Sequence, residues 1–154
     1  MINLHATCVA FGNFGVLIRG PSGSGKSSLA LRLIDAEGFG TGQTKLKAKL
    51  VADDQVMLER KASKVLASAP AALIGKIEIR GIIIATLTHL KVVQLRLVVD
   101  LVPYDSIPRM PGLDALQAQL FGVSLPRIML DAQCADVTAK LRAAFVHVKR
   151  NNTF

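Results

Sequence analysis

Gly20, Gly23, Gly25, Lys26 and Ser27 lie in the stretch RGPSGSGKSS and fit the spacing G-x-x-x-x-G-K-[ST]. Each residue type has a chemical reason to be there. Glycines let backbone N–H groups converge on anionic oxygens without Cβ obstruction. A lysine at this position reaches β and γ phosphates, and the following hydroxyl, that of Ser27, can bind Mg²⁺. Pro21, Ser22 and Ser24 complete the candidate cradle. An ordinary strand-to-helix turn needs none of this combination, so the stretch predicts a site for a polyphosphate such as ATP. It does not by itself separate a kinase from a GTPase, an ATPase or a passive nucleotide binder.

Other residues can supply the rest of the chemistry. Asp53 and Asp54 end the apolar run LVADD. Neighbours on a strand point opposite ways, so one acid can serve as base while the other positions or coordinates. A polar strand terminus is the plain alternative. His5 precedes the loop on an expected strand; a lone histidine is commonly structural. Glu78 and Arg80 alternate with isoleucines in IEIRG and can hold a metal and a phosphate oxygen, or merely form an exposed strand face. Arg109, bracketed by prolines, can stabilise charge or stay in solvent. His89 and His147 lack metal-ligand spacing. Cys8 and Cys134 are expected to be buried, with nothing nearby to make either a nucleophile.

These residues need elements to hold them. INLHATCVAFG and NFGVLIRG are expected as two strands joined at Gly12 and Asn13. From Lys26, KSSLALRLIDAEG predicts a helix with Leu29, Leu33 and Ala36 on one face, Ile34 flanking it and Gly38 capping the end. FGTGQTKLK is expected as a loop; its Lys45 and Lys47, with Lys49 just beyond, can face an acidic partner or solvent. AKLVADDQVMLER, SKVLASA, GKIEIRG and IIIATL predict strands, as does KVVQLRLVVDLVPY, with Val93, Leu95, Leu97 and Val99 on one face. LDALQAQLFG predicts a short helix and LPRIML a strand. Val137, Leu141, Ala144, Phe145 and Val148 fall at helical spacing, and Lys149 and Arg150 suit that helix's negative end. The sum is an α/β class with many strands and about three helices, without regular βαβ alternation.

Composition sets bounds. The chain has 154 residues, 51% of them hydrophobic, with no Trp and one Tyr, Tyr104. One domain over residues 1–154, built on Leu, Ile, Val and Ala, is expected. A net charge of +8 favours acidic partners. Two cysteines make no disulfide framework, and no basic leader region opens the chain, which suggests a reducing, cytoplasmic setting. The apolar runs are too short to cross a bilayer, and no aromatic-rich basic stretch points to nucleic acid.

Five stretches together resemble one family: HATCVAFGNFGVLIRG, GPSGSGKSSLALRLI, LVADDQV, IEIRG and PRMPGL. Their order and spacing are similar to those of the catalytic domain of HPr kinase/phosphorylase, especially short forms lacking the N-terminal domain. The match runs from about residue 3 to residue 130, and LPRIMLDAQCADVTAKLRAAF follows the family's end more loosely. The resemblance implies a P-loop kinase core of the phosphoenolpyruvate-carboxykinase-like type, with a mixed, strand-rich sheet, assembled as hexamers. It implies ATP-dependent phosphorylation of a serine on HPr, a phosphocarrier protein of the phosphotransferase system. It also implies the reverse phosphorolysis, which uses inorganic phosphate and releases pyrophosphate. On this resemblance His5 is the catalytic histidine, Lys26 the loop lysine, and Ser27 and Glu78 the Mg²⁺ ligands. Asp54 is the acid that takes the serine proton, Asp53 its supporting neighbour, and Arg109 a catalytic arginine. The chain departs from the pattern at RGIIIA, at the longer GTGQTKLKAK segment, and at DAQCAD. The last replaces a basic loop tied to phosphorolysis.

Two other readings compete. A small-molecule P-loop kinase or NTPase usually adds an arginine-bearing lid and a regular parallel sheet, neither of which the sequence suggests. A non-catalytic nucleotide sensor or nucleic-acid-binding module would not need the acids of LVADD beside the loop.

Overall fold

The computed structural model describes the whole chain, Met1–Phe154. Its strands are β1 (Ile2–His5), β2 (Thr7–Phe11), β3 (Phe14–Arg19), β4 (Lys49–Ala52), β5 (Gln55–Lys61), β6 (Lys64–Ser68), β7 (Lys76–Ile79), β8 (Ile83–Thr86), β9 (Val92–Leu101), β10 (Gln117–Leu120) and β11 (Val123–Leu130). Two α-helices complete it, α1 (Lys26–Asp35) and α2 (Val137–Asn151). The α/β, strand-rich expectation holds. No helix is long and apolar enough to cross a membrane.

The main sheet runs β1-β5-β6-β9-β3-β2-β4. It is mixed: β3, β9 and β11 are parallel, and the other pairings are antiparallel. β9 is long enough to be shared on one edge, by β6 along its first residues and β11 along its last. β7 and β8 form a separate hairpin.

Alternation along the strands builds a core on each face. In β2, Val9 and Phe11 join the helices, with Leu29, Leu33, Leu141 and Phe145, while Cys8 and Ala10 face Val56, Leu58 and Val65. Burying one such Leu or Val contributes about 1.5–3 kcal/mol, so a one-residue slip of any central strand would cost several of these terms at once.

Two expected continuous strands are broken, and the breaks coincide. The first strand divides at Ala6, and LVADDQV divides at Asp53–Asp54. Ala6 N–H donates to the Asp54 carbonyl at 3.3 Å across the gap. The two bent strands therefore run side by side, β1 against β5 and β2 against β4. The order of the sheet returns to its own start, curling it around the second core.

Four other expectations are corrected. β9 does not keep one face: Leu95 packs in the second core and Leu97 in the first, because the register with β3 shifts between Gly15 and Val16, leaving Arg96 as the extra residue. The helix expected over LDALQAQLFG is a single 3-10 turn, Leu113–Leu116, followed by β10. Pairing with β11 outweighs its Leu113–Leu116–Leu120 spacing. Gly38 does not cap α1. The helix stops at extended Ala36, whose carbonyl accepts from the buried Arg142 guanidinium of α2, and Gly38 pairs with Leu46 instead. Cys8 is buried, and burial raises its thiol pKa far above the ordinary value, but Cys134 is only partly covered.

Candidate functional site

β3 delivers Arg19 to the rim, the chain turns through Gly20–Gly25, and α1 begins at Lys26. Gly23 and Gly25 have φ of 80° and 97°, in the region that L side chains resist. A Cβ on Gly25 would also stand 2.8 Å from the Cβ of Ala132. The start of α1 has no side-chain cap and no acid in its first turn. Its free N–H groups and positive end are left for an anion. The Ser24 hydroxyl is buried without a hydrogen-bond partner. An uncapped helix start and an orphaned hydroxyl in one glycine turn fit a phosphate chain.

Lys26 is only 6% exposed, and its ammonium donates to the carbonyls of Gly20 and Pro21, both at 2.9 Å. Burial lowers its pKa, and the charges of Asp54 and Asp53 offset that only in part. A phosphate would relieve the same penalty.

The break between β4 and β5 separates two adjacent acids into different environments. Asp53 is buried. Its Oδ1 accepts from the Ser27 hydroxyl at 2.7 Å and the Thr7 hydroxyl at 2.9 Å, and its Oδ2 accepts from the Glu78 N–H at 3.3 Å. Asp54 sits at φ 67°, with its side chain 63% exposed. His5 Nδ1 lies 3.0 Å from the Asp54 carbonyl and 3.3 Å from its carboxylate. A carbonyl only accepts, so Nδ1 is the protonated nitrogen in this contact.

The structure thus brings together His5, the glycine turn, Lys26, Ser27, Asp53 and Asp54. Glu78 is joined through its backbone; its carboxylate is exposed and makes no hydrogen bond. Arg109 is exposed in its loop, without a side-chain hydrogen bond or ion pair. No three acidic, histidine or cysteine side chains converge as a ready metal cluster. The Ser27 hydroxyl, held by Asp53, and the exposed Glu78 carboxylate are nevertheless hard oxygen donors of the kind Mg²⁺ takes, since that ion needs one or two carboxylates beside substrate phosphates.

Thr7 was not anticipated. The available signal was one hydroxyl inside the otherwise apolar TCVAF, two residues after His5 and so on the same side of a strand. A second unanticipated group lies beside the loop. Asp100 on β9 accepts two hydrogen bonds from Arg19, at 2.7 and 2.8 Å, and another from Arg127 on β11. Burial alone would raise the Asp100 pKa; the two arginines outweigh it and hold the carboxyl below its ordinary value. This trio ties the C-terminal ends of β3 and β9 to the middle of β11 beside Gly20.

The family model "HPr Serine kinase C-terminal domain" matches residues 1–152. The chain belongs to that family. Curated relatives include an HPr kinase/phosphorylase of Azoarcus sp. (strain BH72), 35% identical over 94% of this chain and 47% of the relative. Another, from Bordetella pertussis, is 34% identical over 93% of this chain and 46% of the relative. The chain spans about half the length of these relatives or less. Among solved structures, the Hpr(Ser) kinase/phosphatase from Coxiella burnetii superposes with a TM-score of 0.79 and 24% identity, covering 99% of each chain. At that identity the likeness speaks for the fold.

Proposed function

We propose that the chain transfers the γ-phosphoryl group of ATP to a serine hydroxyl of a small HPr-like phosphocarrier protein. The observation that carries this reading is the pair of divergent acids beside the glycine turn. Asp53 has its oxygens occupied by three donors, whereas Asp54 is open to an incoming hydroxyl. Bound Mg²⁺ supplies charge neutralisation on the triphosphate. Ser27 and Glu78 would hold that ion, with Asp53 keeping the Ser27 hydroxyl in place. The backbone N–H groups of the turn and Lys26 hold the phosphates. The serine oxygen attacks the γ-phosphorus, the bond to the β–γ bridging oxygen breaks, and ADP leaves. The serine proton goes to Asp54, which His5 orients from its carbonyl side. Arg109 belongs to the reading through the family resemblance and is tested separately.

The same site can be read backwards, with inorganic phosphate attacking phosphoserine to give pyrophosphate. The DAQCAD segment, whose Ala132 stands against Gly25, has no basic side chain to hold the incoming phosphate. The forward direction is therefore favoured. Residues 1–154 are read as one P-loop kinase unit of the phosphoenolpyruvate-carboxykinase-like type. Assembly into a homo-oligomer, a hexamer by resemblance, is supported by the consecutive exposed Ile82, Ile83 and Ile84 on the β7–β8 hairpin. Family membership favours this reading over a small-molecule kinase or a general nucleotide hydrolase.

The test is direct. The chain is incubated with γ-labelled ATP, Mg²⁺ and a purified HPr-like protein, and the product is analysed for phosphoserine. Label on serine, absent without the chain, is expected. A folded chain that labels no serine would reject the assignment. Wild-type turnover in Arg109→Ala would remove Arg109 from it.

A further inference from the structure

The acids fix which way a nucleotide lies across the sheet. Asp53 and Asp54 follow β4, and β2 and β4 stand on one side of β3. On the other side stands β9, with β11 beyond it along its last residues. A triphosphate whose γ-phosphorus faces Asp54 carries its nucleoside away from that acid, toward the ends of β9 and β11. β3, β9 and β11 are parallel, with Arg19 opposite Asp100 and Leu101 opposite Leu130, so the three end at one rim. Ligands of such sheets sit outside the carboxyl ends of the parallel strands.

We infer that Tyr104, just beyond β9, is the platform on which the base of the bound nucleotide stacks. The inference rests on the reading of the glycine turn as a nucleotide cradle. Three observations carry it. First, the segments that follow β9 and β11 wall the turn. A Cβ on Gly20 would stand 3.2 Å from the Cβ of Leu101, and one on Gly25 would stand 2.8 Å from the Cβ of Ala132. Tyr104 follows Leu101 through Val102 and Pro103. Second, its backbone is held there. Val102 N–H donates to the Leu130 carbonyl at 2.9 Å. Tyr104 N–H donates to Asp131 Oδ2 at 3.0 Å, and Asp131 Oδ1 accepts from Gln133 N–H at 2.8 Å. Arg32 of α1 donates to the Ala132 carbonyl at 3.4 Å, and Pro103 fixes the entry to the 3-10 turn Tyr104–Ser106. A ring on a backbone already ordered loses little further freedom on binding.

Third, the ring is bare. Tyr104 is 61% exposed, more than any other aromatic residue of the chain; Phe39 follows at 44%. The Lys140 ammonium lies 5.8 Å from the ring centre, so a cation attends one face and the other is left for a base. Aromatic rings pair best by offset stacking, which every nucleobase can offer. The ring's place at the nucleoside end of the turn is what selects a base among flat apolar groups.

The chain has one Tyr and no Trp, so its intrinsic emission reports this single ring. The experiment titrates the whole ¹⁵N-labelled chain with a non-hydrolysable ATP analogue and Mg²⁺, and separately with inorganic tripolyphosphate and Mg²⁺, which lacks a base. The Gly23 and Gly25 amides should respond to both ligands. Tyrosine emission, corrected for nucleotide absorption, should change saturably with the nucleotide alone and in step with those amides. Tyr104→Ala should weaken nucleotide binding by about five- to a hundredfold, the worth of one stacked base, and leave tripolyphosphate binding unchanged. Tyr104→Phe keeps the ring and should bind the nucleotide near the wild-type affinity. Equal losses for both ligands in Tyr104→Ala, no loss for either, or a Tyr104→Phe loss as large as that of alanine would overturn the inference. So would emission that ignores the nucleotide while the turn amides shift, or that follows tripolyphosphate equally. Each of those results leaves the proposed function standing. Turn amides that respond to neither ligand would instead reject the phosphate cradle, and this platform with it.

Discussion

The two ends of β3 gather positive charge in different ways. At the Arg19 end every cation near the loop is engaged: Lys26 on two carbonyls, Arg19 and Arg127 on Asp100. Acids of both kinds, buried and open, stand among them. At the Phe14 end Lys45, Lys47, Arg96 and Lys149 line one depression that no aspartate or glutamate shares. The arrangement at the Arg19 end follows from the chemistry proposed for it. Phosphoryl transfer needs a proton acceptor as well as an anion cradle, so both signs of charge must coexist without collapsing onto each other. The positive φ at Asp54 and the three donors on Asp53 keep them apart.

The largest expected effect falls on the open acid. Asp54→Asn should lower phosphoryl transfer by about 10²–10⁴-fold, the usual weight of a general base, while ATP affinity stays near wild type; single-turnover kinetics with a separate binding titration separates the two. Transfer at the wild-type rate would move the proton acceptor elsewhere, with Asp53 next in line. Lys26→Met should weaken Mg·ATP binding by about 10–100-fold, the worth of a hydrogen bond from a charged group. Because burial already penalises the ammonium, the same variant should not lose stability to urea. A Lys26→Met chain that unfolds earlier would show that the lysine's two carbonyl contacts are structural.

Thr7→Val tests the closed acid. It removes one donor from a buried carboxylate and should cost about 1–3 kcal/mol of stability, read as a lower urea midpoint with unchanged slope. A change under half of that would mean that Ser27 and the Glu78 N–H suffice for Asp53. Asp100 predicts a smaller, pH-dependent effect. Its folded pKa lies below the unfolded one, so its stabilisation is complete at neutral pH. That stabilisation begins to fade as pH falls through the unfolded carboxylate's range near about 4, and is gone below the folded value. Asp100→Asn should flatten this acid limb of the stability curve, and an unchanged limb would contradict the pairing with Arg19 and Arg127. The smallest effect belongs to the other end of β3. Lys47→Gln should shift stability by no more than about 0.5 kcal/mol, since an exposed, unpaired lysine holds nothing together. Marked destabilisation would mean that Lys47 serves the fold.

Much of the frame could be read from residue types alone. The periodicity of Leu29 and Leu33, and of Val137, Leu141, Phe145 and Val148, marks both helices. The glycine stretch lies between a strand and a helix, as its spacing implies. What periodicity could not show were the tertiary choices. Nothing in the apolar runs around Ala6 and Asp53–Asp54 announces that both strands bend at the same level, yet that coincidence sets His5 beside Asp54. LDALQAQL carries helical leucine spacing, yet only LDAL makes a single 3-10 turn and QAQL becomes a strand, because β11 offers its edge and Phe121 and Gly122, at φ 52° and 70°, close the hairpin. In the site, the loop and the acids stood out by type, whereas Thr7 and Asp100 did not. Their importance comes from the partners that folding brings to them, Asp53 in one case and two arginines in the other.

The central claim is that the Gly20–Ser27 turn grips the triphosphate of a nucleotide, and one titration tests it most directly. The ¹⁵N-labelled chain is followed residue by residue as a non-hydrolysable ATP analogue is added with Mg²⁺. The account predicts saturable shifts concentrated on the amides of Gly23, Gly25, Lys26 and Ser27, weakened in Lys26→Met. A folded chain whose turn amides stay still at saturating nucleotide would contradict it.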